Sequence, residues 1–193
     1  MPDNVINEVL LHNIKLRDCA KHLFNQKGAL SFEVLVPLPI YFWRGGCGSK
    51  LREVFVGDAM DAACDRWGTK WDAYGVPFEG DVPDGTLLQF QTAWNPPRGW
   101  LCALFNTLGC DITSSWLSES ERFVHVETYK QTSVWDTPTW DEAVLSQDSA
   151  EYLHLYALLN DGLAPPDEDE GWGQDEGDTV GDGDAIALDR ALP

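Results

Sequence analysis

Positive charge is scarce in this 193-residue chain: thirteen lysines and arginines stand against thirty-two aspartates and glutamates, a net charge of −19. That balance repels nucleic acid and anionic membranes at long range, so the chain is not expected to bind nucleic acid directly, and a partner with a basic surface is favoured. A run of about eighteen apolar residues is also missing, so no membrane span is expected. The N-terminus, MPDNVINEVLLHNIKLRD, has acids and amides where a secretory signal needs a basic start and an apolar core. It predicts a protein that stays in the cytoplasm.

Paired cysteines are absent too. Cys19, Cys47, Cys64, Cys102 and Cys110 are odd in number and form no C-x-x-C pair, which argues against a disulfide framework or a zinc knuckle. Cys19, Cys64 and Cys102 fall among apolar residues on predicted helices and read as core thiols. Cys47 lies in Gly45-Gly46-Cys47-Gly48-Ser49-Lys50, a glycine-rich loop that fails the spacing of a phosphate loop. As a nucleophile it would need a histidine nearby in space. Asp178, Asp182 and Asp184 lack the pattern and closing Glu of a calcium loop. No H-x-x-x-H or G-x-S-x-G signature occurs, and no cofactor or metal is expected.

What is abundant is acid, and it is unevenly spread. Residues 1–80 hold ten acids and nine bases, residues 81–160 eleven and three, and residues 161–193 eleven and one. Tryptophan is abundant as well, with nine residues, each a large core filler or an interface anchor.

Hydrophobic spacing predicts a strand from Val5 to Ile14 and an amphipathic helix from Lys15 to Gln26, then a strand from Leu30 to Val36 ended by Pro37 and Pro39. Asp58 is placed to cap a helix from Ala59 to Trp67, with Gly68 at its end. Strands follow at Trp71–Val76 and Leu87–Trp94, joined by a long loop with an Asp84-Gly85 turn signal. Asn95 reads as the N-cap, and Pro96 as the first position, of a helix that Gly109 stops. Asp111–Leu117 and Arg122–Gln131 form a hairpin in which Phe123, His125 and Glu127 alternate with Val124, Val126 and Thr128. Thr139 and Glu142 give a capping box ahead of a helical segment that the polar run Ser146–Ser149 divides. From Pro165 the acidic, glycine-rich composition predicts disorder.

The order β-α-β, insertion, β-α-β plus a strand is a split β-α-β plan, with helices on one face of a mostly antiparallel sheet. The expected organisation is a domain over 1–131, a C-terminal helical extension over 132–163 and a disordered acidic tail over 164–193.

Two tryptophan segments are distinctive: Trp67-Gly68-Thr69-Lys70-Trp71-Asp72-Ala73, and Phe90-Gln91-Thr92-Ala93-Trp94-Asn95-Pro96-Pro97. Together with the MPD start, they resemble the YubB-type ferredoxin-like domain family of bacteriophages and conjugative plasmids, over roughly residues 1–131. The resemblance implies a mobile-element origin, a bacterial host cell and a ferredoxin-like α+β sandwich. To this plan the chain adds an inserted helical and loop segment, the C-terminal helical segment and the tail. The label concerns fold alone, and no cluster-binding cysteines are spaced for one here. The start departs from the family pattern, with Asn4-Val5 where a Trp-Cys pair is usual. Trp71 and Trp94 are expected to pair across neighbouring strands, with Lys70 and Asp72 fixing the turn after the helix; these segments read mostly as scaffold.

The leading expectation is a non-enzymatic protein that inhibits a host defence system, of the anti-CRISPR type. It would occupy a basic, nucleic-acid-handling surface on a host protein or ribonucleoprotein complex. Asp111, Glu119, Glu121, Glu127, Asp136 and Asp141 would face the target, with Trp43, Trp135 and Trp140 as anchors. The alternatives are a ligand-binding module or enzyme using a cleft between Trp67 and Trp94, and a structural or regulatory mobile-element protein that forms a homodimer.

Overall fold

The computed structural model describes residues 3–39, 42–43, 57–130 and 139–165. Its centre is β1 (Asn4–His12), whose sequence is apolar toward both faces: Val9 and Leu11 point one way and Ile6 the other, and all three are buried. A strand buried on both sides belongs in the middle of a sheet. The remaining strands are β2 (Phe42–Trp43), β3 (Gly57–Asp58), β4 (Tyr74–Val82), β5 (Gly85–Ala93), β6 (Ile112–Ser118), β7 (Val124–Lys130) and β8 (Thr139–Leu145). Six form an open sheet in the order β4-β5-β1-β6-β7-β8, every neighbouring pair antiparallel. The short β2 and β3 pair in parallel.

Four α-helices are described: α1 (Leu16–Leu23), α2 (Ala59–Trp67), α3 (Arg98–Leu108) and α4 (Ala150–Leu159). The first three cover one face of the sheet. There Cys19, Leu23, Ala62, Trp67, Trp100, Leu101 and Leu104 pack on Val9, Leu11, Leu88, Phe90, Ile112 and Tyr129. On the opposite face α4 contributes Tyr152 and Leu155, which bury Ile6, Leu117 and Val124. The mixed α+β class and the antiparallel sheet expected from the sequence are therefore present.

Several local expectations are corrected. Leu30–Val36 is not a strand. Only Leu30 makes a bridge, to Phe24, and Phe32–Val34 is a 3₁₀ turn. The reason is Asp72, whose carboxylate accepts the Ser31 hydroxyl and the Phe32 N–H, both at 2.6 Å, and so satisfies by side chain what a sheet neighbour would have satisfied. Asn95 does not cap α3. The helix begins after Pro97, and the Asn95 carbonyl accepts the Thr92 hydroxyl at 2.8 Å. The β4–β5 connection is a tight turn rather than a long loop. Gly85 there sits at φ 155, and a Cβ on it would lie 1.8 Å from the Leu11 carbonyl oxygen.

The largest correction is at Thr139–Leu145, expected as a capped helix and found as strand β8. Its partner β7 supplies a full ladder from Val124↔Leu145 to Lys130↔Thr139, and Glu142 reaches across to β7 and α3 instead of back to Thr139. A tertiary neighbour overrides a local capping pattern. Ser149 is the true cap of the helix that follows, accepting Tyr152 N–H at 3.1 Å.

Candidate functional site

The registers Asn4↔Ala93, Val5↔Ser118, Tyr74↔Gln91 and Val124↔Leu145 bring one set of chain ends together at a single end of the sheet. Across it run, in order, Trp71 and Tyr74 at the start of β4, Trp94 after β5, Asp3 before β1, and Glu119, Glu121 and Phe123 in the β6–β7 hairpin. Four strand spacings of ~4.8 Å make this rim ~19 Å long. Trp71 and Trp94 are each 44% exposed and Phe123 is 53% exposed.

The rim's aromatic end is built around a lysine. Lys70 Nζ stands 4.0 Å from the Trp94 ring centroid and 5.1 Å from that of Trp71, a cation–π arrangement on two indoles. The Tyr74 ring packs against Trp71, and its hydroxyl, with one proton to give, lies 2.5 Å from Asn4 Oδ1 and 3.0 Å from the Thr92 carbonyl oxygen. Burial pushes the Tyr74 phenol above its ordinary value, and the charges of Glu119 and Asp3 push it further the same way. Trp94 has φ 74, in the left-handed region where a bulky residue is rare. Its N–H donates to the Asp3 carbonyl at 2.8 Å, which holds that conformation in place.

The acidic end is equally ordered. Glu119 accepts the Asn4 N–H at 2.9 Å and the Asn4 side-chain amide at 2.7 Å. Asp3 accepts the Ser118 and Ser120 hydroxyls, both at 2.6 Å. These donors are neutral, so they position the carboxylates without cancelling their charge.

Behind the rim, between the sheet and the start of α3, lies a charge network. Glu127 is fully buried. It accepts Arg98 Nε at 2.7 Å, Trp116 Nε1 at 3.1 Å and the Tyr129 hydroxyl at 2.8 Å, and Arg98 Nη2 is 2.6 Å away. His125 stacks on Trp116 with ring centroids 4.0 Å apart, and its two ring nitrogens reach Glu142 at 2.8 Å and Glu121 at 3.0 Å. Burial would lower the Arg98 guanidinium, but the hydrogen bond and charge of Glu127, with Glu142 behind them, leave it raised. Burial, then the Glu127 charge, pushes the Tyr129 phenol far up. The carboxylate is satisfied on all sides, so this network ties β6, β7, β8 and α3 together and leaves Glu127 nothing to offer a partner.

The acids expected to form one face are thus dispersed. Glu119 and Glu121 are on the rim. Asp111 is exposed at the other end of β6, and Asp141 is exposed on β8. Glu127, expected to face a target, is the core of an internal network, because α3 covers the face of β7 that alternation alone assigns to solvent. Trp43 and Trp140 lie on β2 and β8, while Trp135, Asp136, Cys47 and the tail from residue 166 lie outside the described residues.

The tryptophan segments divide by burial. Trp67 is 3% exposed and donates its Nε1–H to the Val36 carbonyl, Thr69 is buried with its hydroxyl on the Ala93 carbonyl, and Pro96 and Pro97 are buried. Gly68, at φ 91, ends α2 against the start of α3. Asp72 fixes the 3₁₀ turn. Lys70, Trp71 and Trp94 instead form the rim, with the exposed Asn95 beside them. Trp71 and Trp94 do not pair across strands as expected; they flank Lys70. Asp3, Phe123, Arg98, His125 and Glu142 were missed as site residues. Arg98 opens α3, and each of the others lies beside a strand end or on a strand whose buried face depends on a helix distant in sequence.

Among the described residues, no group of three or more His, Cys, Asp or Glu is placed to hold a metal, and no helix is long and apolar enough to cross a membrane. Cys19, Cys64, Cys102 and Cys110 are free, and burial raises all four thiols above their ordinary value. No protein-family model, no curated protein and no solved structure matches the chain.

Proposed function

We propose that this protein is a non-enzymatic binding protein whose rim of Trp71, Trp94, Phe123, Asp3, Glu119 and Glu121 docks onto a basic, nucleic-acid-handling surface of a host assembly. The observation that carries this reading is Trp94. A large apolar side chain stands 44% exposed on a backbone held at φ 74. Such strain costs of order 1–3 kcal/mol and persists only where the surroundings impose it. Burial of the ring does not account for it, whereas an anchor for a partner does. Asp3 and Glu119, held by neutral donors beside exposed aromatics, supply charge and apolar contact together, as an interface to a basic surface needs.

The finer identity is part of the same proposal. The resemblance of the tryptophan segments supports a phage or plasmid source, and that source together with the acidity supports a role against host defence, with a CRISPR effector as the target class. The order β4-β5-β1-β6, with α1 and α3 between strands, supports a ferredoxin-like reading of that part, extended at one edge by β7 and β8.

The test is competition. Purified CRISPR effector complexes are mixed with labelled target DNA and increasing amounts of the full-length protein, and DNA binding is followed by fluorescence anisotropy. The protein is expected to displace DNA, less effectively as salt rises. Trp71→Ala with Trp94→Ala, and Glu119→Lys with Glu121→Lys, should each weaken it by about tenfold or more. Undiminished inhibition by both double variants, or no binding to any effector, overturns the reading.

A further inference from the structure

We propose that Trp71 and Trp94 form a cation clamp in which Lys70 is the resident occupant, and that an arginine of the partner takes its place on docking. The inference rests on the reading of this rim as a docking surface and names the partner chemistry its aromatic end selects.

The clamp is the right size for a cation because one is seated in it. Lys70 Nζ lies 4.0 Å and 5.1 Å from the two indole centroids, inside the roughly 6 Å over which a ring face attracts an ammonium or guanidinium group. Both indoles keep 44% of their surface open to solvent, so a second cation can reach them. Negative charge lies close by. Glu119 and Asp3 act on the Tyr74 phenol, whose ring packs against Trp71, and both carboxylates are held by amide, hydroxyl or backbone donors rather than by a base. A cation arriving from solvent therefore meets two indole faces beside two carboxylates held by neutral donors.

Exchange has a direction. A guanidinium is planar, stacks on indole and is more weakly hydrated than an ammonium, so arginine gains more from the clamp than lysine does. The flexible stem of Lys70 lets its ammonium return to water when displaced. Lys70 also keeps the clamp from closing on itself before a partner arrives. The backbone of Trp94, pinned by the Asp3 carbonyl, fixes one jaw.

The experiment titrates ¹⁵N-labelled full-length protein with N-acetylarginine amide and follows the indole N–H resonances, those of Trp71 and Trp94 being assigned from Trp71→Phe and Trp94→Phe. These two signals are expected to move before those of the other seven tryptophans. Lys70→Met, which keeps the stem and removes the competing charge, should tighten the apparent dissociation constant by about threefold or more. Lys15→Met is the control. It makes the same change in net charge at the far end of the sheet, where the Lys15 ammonium bonds the Val82 carbonyl, and should alter binding by less than about twofold. If Lys70→Met fails a thermal-unfolding check, Lys70→Gln carries the same comparison. The proposal is overturned if Lys70→Met gains no more than Lys15→Met, or if other indoles move first. Should the clamp fail while Trp71→Ala with Trp94→Ala still abolishes displacement of DNA from the effector, cation exchange is wrong and the docking surface stands.

Discussion

Two residues carry opposite lessons about exposure. Glu127 is an acid that the core requires. Glu127→Ala leaves the buried Trp116 and Tyr129 with unanswered donors, while the partly exposed Arg98 keeps water and Glu142, and we expect a loss of about 1–3 kcal/mol in urea unfolding. Replacing the pair by apolar groups, Arg98→Met with Glu127→Leu, should recover only part of it, because Trp116 Nε1 and the Tyr129 hydroxyl still lack their acceptor. Trp94 is an apolar residue that the core does not require. Trp94→Gly removes the cation–π contact with Lys70 but relieves the positive φ, so unfolding free energy should change by less than about 1 kcal/mol. The same substitution should weaken partner binding by about tenfold or more, since an anchor is lost. A stability loss of several kcal/mol in Trp94→Gly would return that residue to the scaffold.

Among the elements, the helices α2 and α3 are in close contact. A Cβ on Gly99 would lie 2.3 Å from the Arg66 carbonyl oxygen, so the last turn of α2 rests directly on the first turn of α3. Gly99→Ala must push these helices apart, and we expect a loss of about 1–3 kcal/mol, read as a lower urea midpoint. The bounds of α2 were legible because its signals are local: Asp58 accepts Met60 N–H at 2.8 Å and Gly68 takes the left-handed C-cap. The bounds of β8 were not. Its Thr139…Glu142 pattern is a valid capping box, and only the presence of β7 converts the segment to a strand. The start of α3 was misplaced by two residues: Pro97, not Asn95, holds the cap position, and Arg98 is the first helical residue.

For the molecule as a whole, acid is the informative stress, given a charge of −19. Asp81 joins β4 to the first turn of α1. The Leu16 N–H on its carboxylate, helped by Lys15, Thr86 and Arg17, holds it below the ordinary 3.8. A depressed folded value means that the stabilisation is complete above the unfolded value and is lost as pH falls through the folded one. Wild type should therefore exceed Asp81→Asn in urea midpoint at about pH 7, and the difference should shrink as pH drops below 3.8. A difference that stays constant down to about pH 2 would show that the hydrogen-bond geometry, and not the charge, matters.

The sequence by itself determined the class of the fold, the helices α1 and α2, the β6–β7 hairpin and the excess of acid, because periodicity, caps and composition are properties of neighbours along the chain. The tertiary structure alone decided which acids face solvent. Alternation shows that His125, Glu127 and Tyr129 share a face of β7, but not that α3 covers it. Once it does, an unpaired carboxylate there is too costly, so Arg98 is recruited and Glu127 leaves the surface. The same holds for the rim. Trp71, Trp94, Asp3 and Glu119 lie apart in sequence, and only the registers of β4 with β5 and of β1 with β5 and β6 set them along one rim.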